Sequence, residues 1–128
     1  MDLIKKVNWK GLKHEYGLDG QRLLPWENAN FPFGGAYCVV KSNTNSLQHV
    51  NQPDDEDEFF IVISGKAKVF IDGDFFEIEK GDQVFIPKGT SHYVENTYNE
   101  DFHFYALWWN SESIGNHINQ NNQIFNHG

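Results

Sequence analysis

At 128 residues, with a formal net charge of −8 and only 10 scattered Lys and Arg, the chain is sized for one domain and poorly suited to a phosphate-backbone partner. The single Cys38 excludes an intramolecular disulfide and a CxxC site, and no charged-then-apolar-then-small segment opens the chain, so a cytoplasmic protein is expected. The longest apolar run, Phe59 to Ile63, is too short to cross a bilayer, and neither a membrane nor nucleic acid is an expected partner.

One domain over 1–128 is expected, with a core at about 36–110, an N-terminal arm at 1–35 and a C-terminal tail at 111–128. Met1 to Lys13 holds isolated apolar positions without periodicity and reads as an arm with at most one short strand. A brief apolar run at Gln21 to Pro25 precedes Trp26. Glu27 to Gly35 is a turn-rich loop that either covers a barrel mouth or packs as a strap outside the sheet.

Strand signals begin at Ala36 to Lys41, followed by a polar turn at Ser42 to Ser46, a second strand at Leu47 to Asn51 and an acidic turn at Pro53 to Asp57. Glu58 to Ser64, Lys66 to Asp72 and Asp74 to Glu79 are three more, separated by Gly65 and by the hairpin dipeptide Asp72-Gly73. Gln83 to Pro87, Ser91 to Glu95 and Phe102 to Asn110 complete a set of about eight, with no amphipathic helix between them. The pattern is that of an all-β protein, an antiparallel sandwich or barrel of the jelly-roll kind. For the Asn- and Gln-rich tail, Ser111 to Gly128, a short helix and a disordered end are both open.

The densest signal lies between Gly81 and Asn96, GDQVFIPKGTSHYVEN, which reads G-x5-P-x-G-x2-H-x3-N with Gly81, Pro87, Gly89, His92 and Asn96 at its fixed positions. Gly81 and Gly89 stand where turns need positive φ, and Pro87 presets a turn and ends the apolar run. His92 then opens a strand, from which an imidazole can point into a barrel lumen and reach a metal. This stretch resembles the second motif of the cupin superfamily at every fixed position. The resemblance spans about Ala36 to Trp109 and implies a double-stranded β-helix with one divalent metal in its lumen and frequent homodimerisation.

In family form the first cupin motif is a His-x-His pair, three or four residues, a glutamate, six residues and a glycine. Glu58, Phe59 to Ser64 and Gly65 fit its second half, whereas His49-Val50-Asn51 places an amide where the second imidazole would stand. Six residues separate Asn51 from Glu58, and Gln52-Pro53 reads as a two-residue lengthening of the turn. Positions i and i+2 of a strand face the same way, so His49 and Asn51 can share the lumen, with Glu58 opposite on the next antiparallel strand and His92 closing the set. An amide oxygen from either Asn51 or Gln52 then adds a fourth contact, Gln52 through its longer side chain and a bulge before Pro53. The metal ligands expected are therefore His49, Glu58, His92 and one of Asn51 and Gln52. The other acids of the run, Asp54 to Asp57, read as solvent-facing. Exchange of an imidazole for an amide oxygen hardens the site and favours manganese or iron(II), with zinc and nickel also within the range of such ligands.

His103 is an acid or base candidate only if His103, Tyr105, Leu107 and Trp109 form the inward set of their strand, and the alternative places it outside on a half-solvated strand. Tyr37, Tyr93 and Trp26 are candidates for a pocket wall. No GxSxG, P-loop or Rossmann fingerprint is present, which leaves nucleotide-dependent and serine-nucleophile chemistries unsupported. Two functions remain: a metal-dependent enzyme acting on a small organic molecule, an oxygenase being one form, and a non-catalytic module that binds a small ligand or a metal.

Overall fold

The computed structural model describes residues 3–27, 29, 31–48, 50 and 56–110. Ten strands occur among them: β1 (Lys13–Glu15), β2 (Leu18–Leu24), β3 (Gly34–Val40), β4 (Thr44–Asn45), β5 (Asp57–Ser64), β6 (Lys66–Ile71), β7 (Asp74–Glu79), β8 (Gln83–Ile86), β9 (His92–Asn96) and β10 (Phe102–Trp109). They form a six-stranded sheet, β1-β2-β3-β10-β5-β8, and a four-stranded sheet, β4-β9-β6-β7, with antiparallel pairing throughout. The only helical piece in the described residues is a 3₁₀ turn at Trp9–Gly11. The fold is the expected jelly roll.

Period-two alternation sets the core. In β5 the buried positions are Glu58, Phe60 and Val62, in β9 they are His92, Val94 and Asn96, and in β10 they are Phe102, Phe104 and Ala106. The apolar ones among them meet Ala36, Cys38 and Val40 of β3 and Ala67 and Val69 of β6 in one cluster fed by both sheets. Glu58 and His92 are therefore carried inward by the same alternation that buries their apolar neighbours.

Gly81 and Gly89 adopt φ of 91° and 78°, as the turn reading requires. Asp72-Gly73 forms a two-residue hairpin with φ positive at both residues, joining Ile71 to its partner Asp74.

Two differences from the sequence reading concern the first half of the chain. The N-terminal segment, expected to hold one short strand, carries two: β1 and β2 pair through a two-residue turn at Tyr16-Gly17, and β2 extends the large sheet along β3. The second strand expected at Leu47 to Asn51 is absent from its described residues, and a short strand lies earlier, at Thr44–Asn45. Ser46 explains this. Its N–H donates to the Val94 carbonyl at 2.8 Å, but its Oγ accepts from the Val94 N–H at 2.7 Å, so a side chain replaces the main-chain acceptor and ends the ladder. Leu47 then turns to the other sheet, donating to the Tyr16 carbonyl at 2.6 Å.

Candidate functional site

A cavity of about 320 Å³ opens between the inner faces, with Glu58, His92, Cys38, Phe60, Phe104 and Trp108 in its wall. The β1–β2 hairpin forms another part of the wall through Lys13, Glu15 and Arg22. Ala36 and Ala106 lie side by side in the β3–β10 register, and their short side chains leave the space that larger residues would fill.

His92 follows directly on the turn that the motif builds. The Thr90 N–H and Oγ1 both donate to the Pro87 carbonyl, at 3.4 and 2.6 Å, and the Lys88 N–H donates to Asp57 Oδ1 at 2.8 Å, tying the turn to the start of β5. Asp57 thus has a structural bond, and Glu56 reaches the cavity wall; neither is only a solvated acid, contrary to the reading of the acidic run.

His92 is 2% exposed and Glu58 8%, and His92 Nε2 stands 3.5 Å from Glu58 Oε2. Nδ1 of His92 lies 3.3 Å from the Thr90 carbonyl, which can only accept, so Nδ1 carries a proton. Nε2 and the carboxylate then share either a second proton or a cation. Buried acceptors facing each other require one of these. The spacing suits a metal, since two donors about 2.1 Å from one ion at a near-tetrahedral angle stand about 3.4 Å apart. The donor set and its fixed tautomer therefore fit a divalent ion.

Of the expected ligands, the structure brings Glu58 and His92 together. His49, Asn51 and Gln52 lie outside the described residues. Among the described residues no third His, Cys, Asp or Glu joins the pair in a metal-holding cluster.

Cys38, which the sequence reading left without a site role, lies in the cavity wall. Burial pushes its thiol up to about 12, the Glu58 charge adds to the rise, and Arg22 opposes it. Trp108 was also missed. The inward set of β10 is Phe102, Phe104, Ala106 and Trp108, so His103 and Tyr105 face outward. His103 Nδ1 is 2.8 Å from the Tyr37 hydroxyl, and the rings of Trp9 and Tyr37 meet edge to face at 5.1 Å. Tyr93 stacks on Phe70 at 4.5 Å, and Trp26 packs near Phe31 at 5.5 Å. None of Tyr37, Tyr93 and Trp26 lines the cavity.

Residues 36–109 match the family model described as Cupin domain. The plu4264 protein of Photorhabdus luminescens is 47% identical, with a TM-score of 0.82 over 94% of this chain and 98% of that one. A Cupin 2 conserved barrel domain protein of Salinispora arenicola is 32% identical, with a TM-score of 0.80 over 94% and 98%. A predicted oxalate decarboxylase of Thermotoga maritima is 25% identical, with a TM-score of 0.64 over 72% and 79%. The chain spans about half the length of the curated relatives it matches, 47% for uncharacterised proteins of Methanocaldococcus jannaschii and Aquifex aeolicus alike.

Proposed function

The chain belongs to the cupin family, and from that premise we propose that it is a metal-dependent enzyme acting on a small organic molecule. The observation that carries this reading is the buried approach of His92 Nε2 to Glu58 Oε2 at 3.5 Å on the wall of a cavity sized for such a molecule. Glu58 and His92 would hold the ion, with His49 and one of Asn51 and Gln52 completing the set, and manganese or iron(II) is the preferred occupant over zinc or nickel. When bound, a divalent ion supplies Lewis-acid polarisation of substrate oxygens.

The chain's own groups account for the rest. Phe60, Phe104 and Trp108 exclude water from the body of a ligand. Thr90 keeps the His92 ring in one tautomer, which turns the Nε2 lone pair towards the Glu58 carboxylate and the ion the two would share. The neighbour described as a predicted oxalate decarboxylase supports small-molecule chemistry on this fold.

The deciding experiment is elemental analysis of folded wild type, Glu58→Ala and His92→Ala, each stripped and reloaded. Near-stoichiometric metal in the wild type and a sharp loss in both variants is expected, and equal metal in all three overturns the assignment. Oxygen uptake over a panel of small acids and phenols, with iron or manganese loaded anaerobically, then separates an oxygenase from other chemistry. Metal uptake without turnover of any kind would leave the non-catalytic binding module.

The proposal includes a homodimer in the cytoplasm. The large sheet exposes Ile61, Ile63 and Phe85, of which Phe85 is 53% accessible on the edge strand β8, and such an edge favours pairing. A monomer mass by sedimentation at micromolar concentration would remove that part. No helix among the described residues is long and apolar enough to cross a membrane.

A further inference from the structure

We infer that the cavity takes a small organic monocarboxylate, its anionic end bound by Arg22 at the hairpin wall and its other end facing Glu58 and His92. This rests on the small-molecule reading above and names the ligand class. Arg22 is the only arginine of the 128 residues, the other nine cations being lysines. It stands in the cavity wall, half in solvent, on the strand that borders the opening.

The guanidinium is placed for recognition. Its carbon lies 5.5 Å from the centroid of the Trp108 ring, a cation–π contact that orients the planar group. Its ion pair with Glu15 is 3.6 Å long, between side chains 59% and 46% exposed, too long and too wet to occupy the five N–H donors. A fork of parallel donors remains for a carboxylate, which it can bind in bidentate fashion. Lys13, on the neighbouring strand, adds a second positive group to the same wall.

The register supplies the span. Arg22 pairs with Ala36, Ala36 with Ala106 and Ala106 with Phe60, while Trp108 pairs with Glu58. The backbones of β2 and β5 are thus three strand spacings apart, about 14 Å, and the Arg22 side chain folds back over a ring adjacent to Glu58. Between the two ends the wall is Phe60, Phe104 and Val94, which suits an apolar or aromatic body. Glu15 and Glu56 also line the cavity and, with a net charge of −8 on the chain, disfavour polyanions such as sugar phosphates.

Benzoate and its neutral isostere benzamide test the inference by titration of tryptophan fluorescence in wild type, Arg22→Lys and Arg22→Gln. The wild type should bind benzoate at least about tenfold tighter than benzamide, Arg22→Gln should lose that preference with benzamide unaffected, and Arg22→Lys should fall between. Equal binding of the two probes by wild type, no saturable binding of benzoate, or a benzoate preference that survives in Arg22→Gln overturns the inference; the last is what coordination to a metal alone would give. Unchanged unfolding midpoints in Arg22→Gln show that the loss is not general loosening. Metal content of the same samples keeps the two readings apart. Arg22-dependent binding without metal uptake sinks the metal enzyme and leaves this inference standing, whereas metal uptake without Arg22-dependent binding does the reverse.

Discussion

Asn96 Nδ2 donates to the main-chain carbonyl of Val40 at 3.0 Å, joining the end of β9 to a strand of the opposite sheet. The same amide donates to the Glu100 carbonyl at 2.7 Å and accepts from the Tyr98 N–H at 3.0 Å, so one fully buried side chain satisfies three backbone groups. The last position of the second motif is therefore a clamp between sheets. Asn96→Ala should cost about 3 kcal/mol of stability, because the buried Val40 carbonyl and two partly buried backbone groups lose their partner. Urea unfolding measures this, and metal content should stay at the wild-type level. A loss below about 1 kcal/mol would mean that water replaces the amide.

The pattern around Gly81, Pro87, Gly89 and His92 was legible because turn chemistry and strand alternation are local and agree with each other. Glu58 was legible from its spacing to Gly65 and its place just before the β-rich stretch, and the alternating burial of β5, which the continuous apolar run conceals, then turns it inward. The β1–β2 hairpin was not. Its turn places Tyr16 at φ 53°, where Asn or Asp would have announced it, and β2 mixes Asp19, Gly20, Gln21 and Arg22 because several of its residues face a cavity rather than a packed core. The inward face of β10 could not be chosen from residue types, since both alternating sets are rich in aromatic residues, and burial assigns it to Phe104 and Trp108 rather than to His103. Arg22 was passed over for a simpler reason: one cation is a weak signal until a cavity is seen beside it.

Cys38 should be inert in the folded, metal-free protein. With its pKa near 12, its thiolate fraction at pH 8 is about three orders of magnitude below that of an ordinary thiol. Iodoacetamide should therefore modify it only at the rate of unfolding, and the rate should rise with urea. Rapid native-state labelling would show that the cavity reaches the sulfur in a more polar setting.

Asp101 accepts from the Ser42 N–H at 3.0 Å, which holds its carboxyl below the ordinary range; partial burial opposes this, and Lys41 at 3.4 Å assists. A depressed folded value means that the stabilisation is complete above the unfolded value and is lost as the pH falls through the folded one. Asp101→Asn keeps the acceptor and removes the charge. Wild type should be more stable than this variant at pH 7, with the gap closing in acid, as read from urea midpoints across the pH range. The effect is small because the side chain is 39% exposed. A gap that widens in acid would contradict the assignment.

The departure from the first family motif gives a test that does not depend on knowing the substrate. If Asn51 supplies an amide oxygen to the ion, Asn51→His should move selectivity from manganese or iron(II) towards zinc, nickel or copper, because imidazole nitrogen suits those ions better. If Gln52 is the ligand, Gln52→His should produce the shift and Asn51→His should not. Each protein must be stripped and reloaded from one equimolar mixture, since preparation history otherwise decides occupancy, and the bound metals are then counted by elemental analysis. Only one of the two substitutions should act, because one amide completes the set with His49, Glu58 and His92. Identical selectivity in wild type and both variants would mean that neither amide reaches the ion and that water completes a three-ligand site.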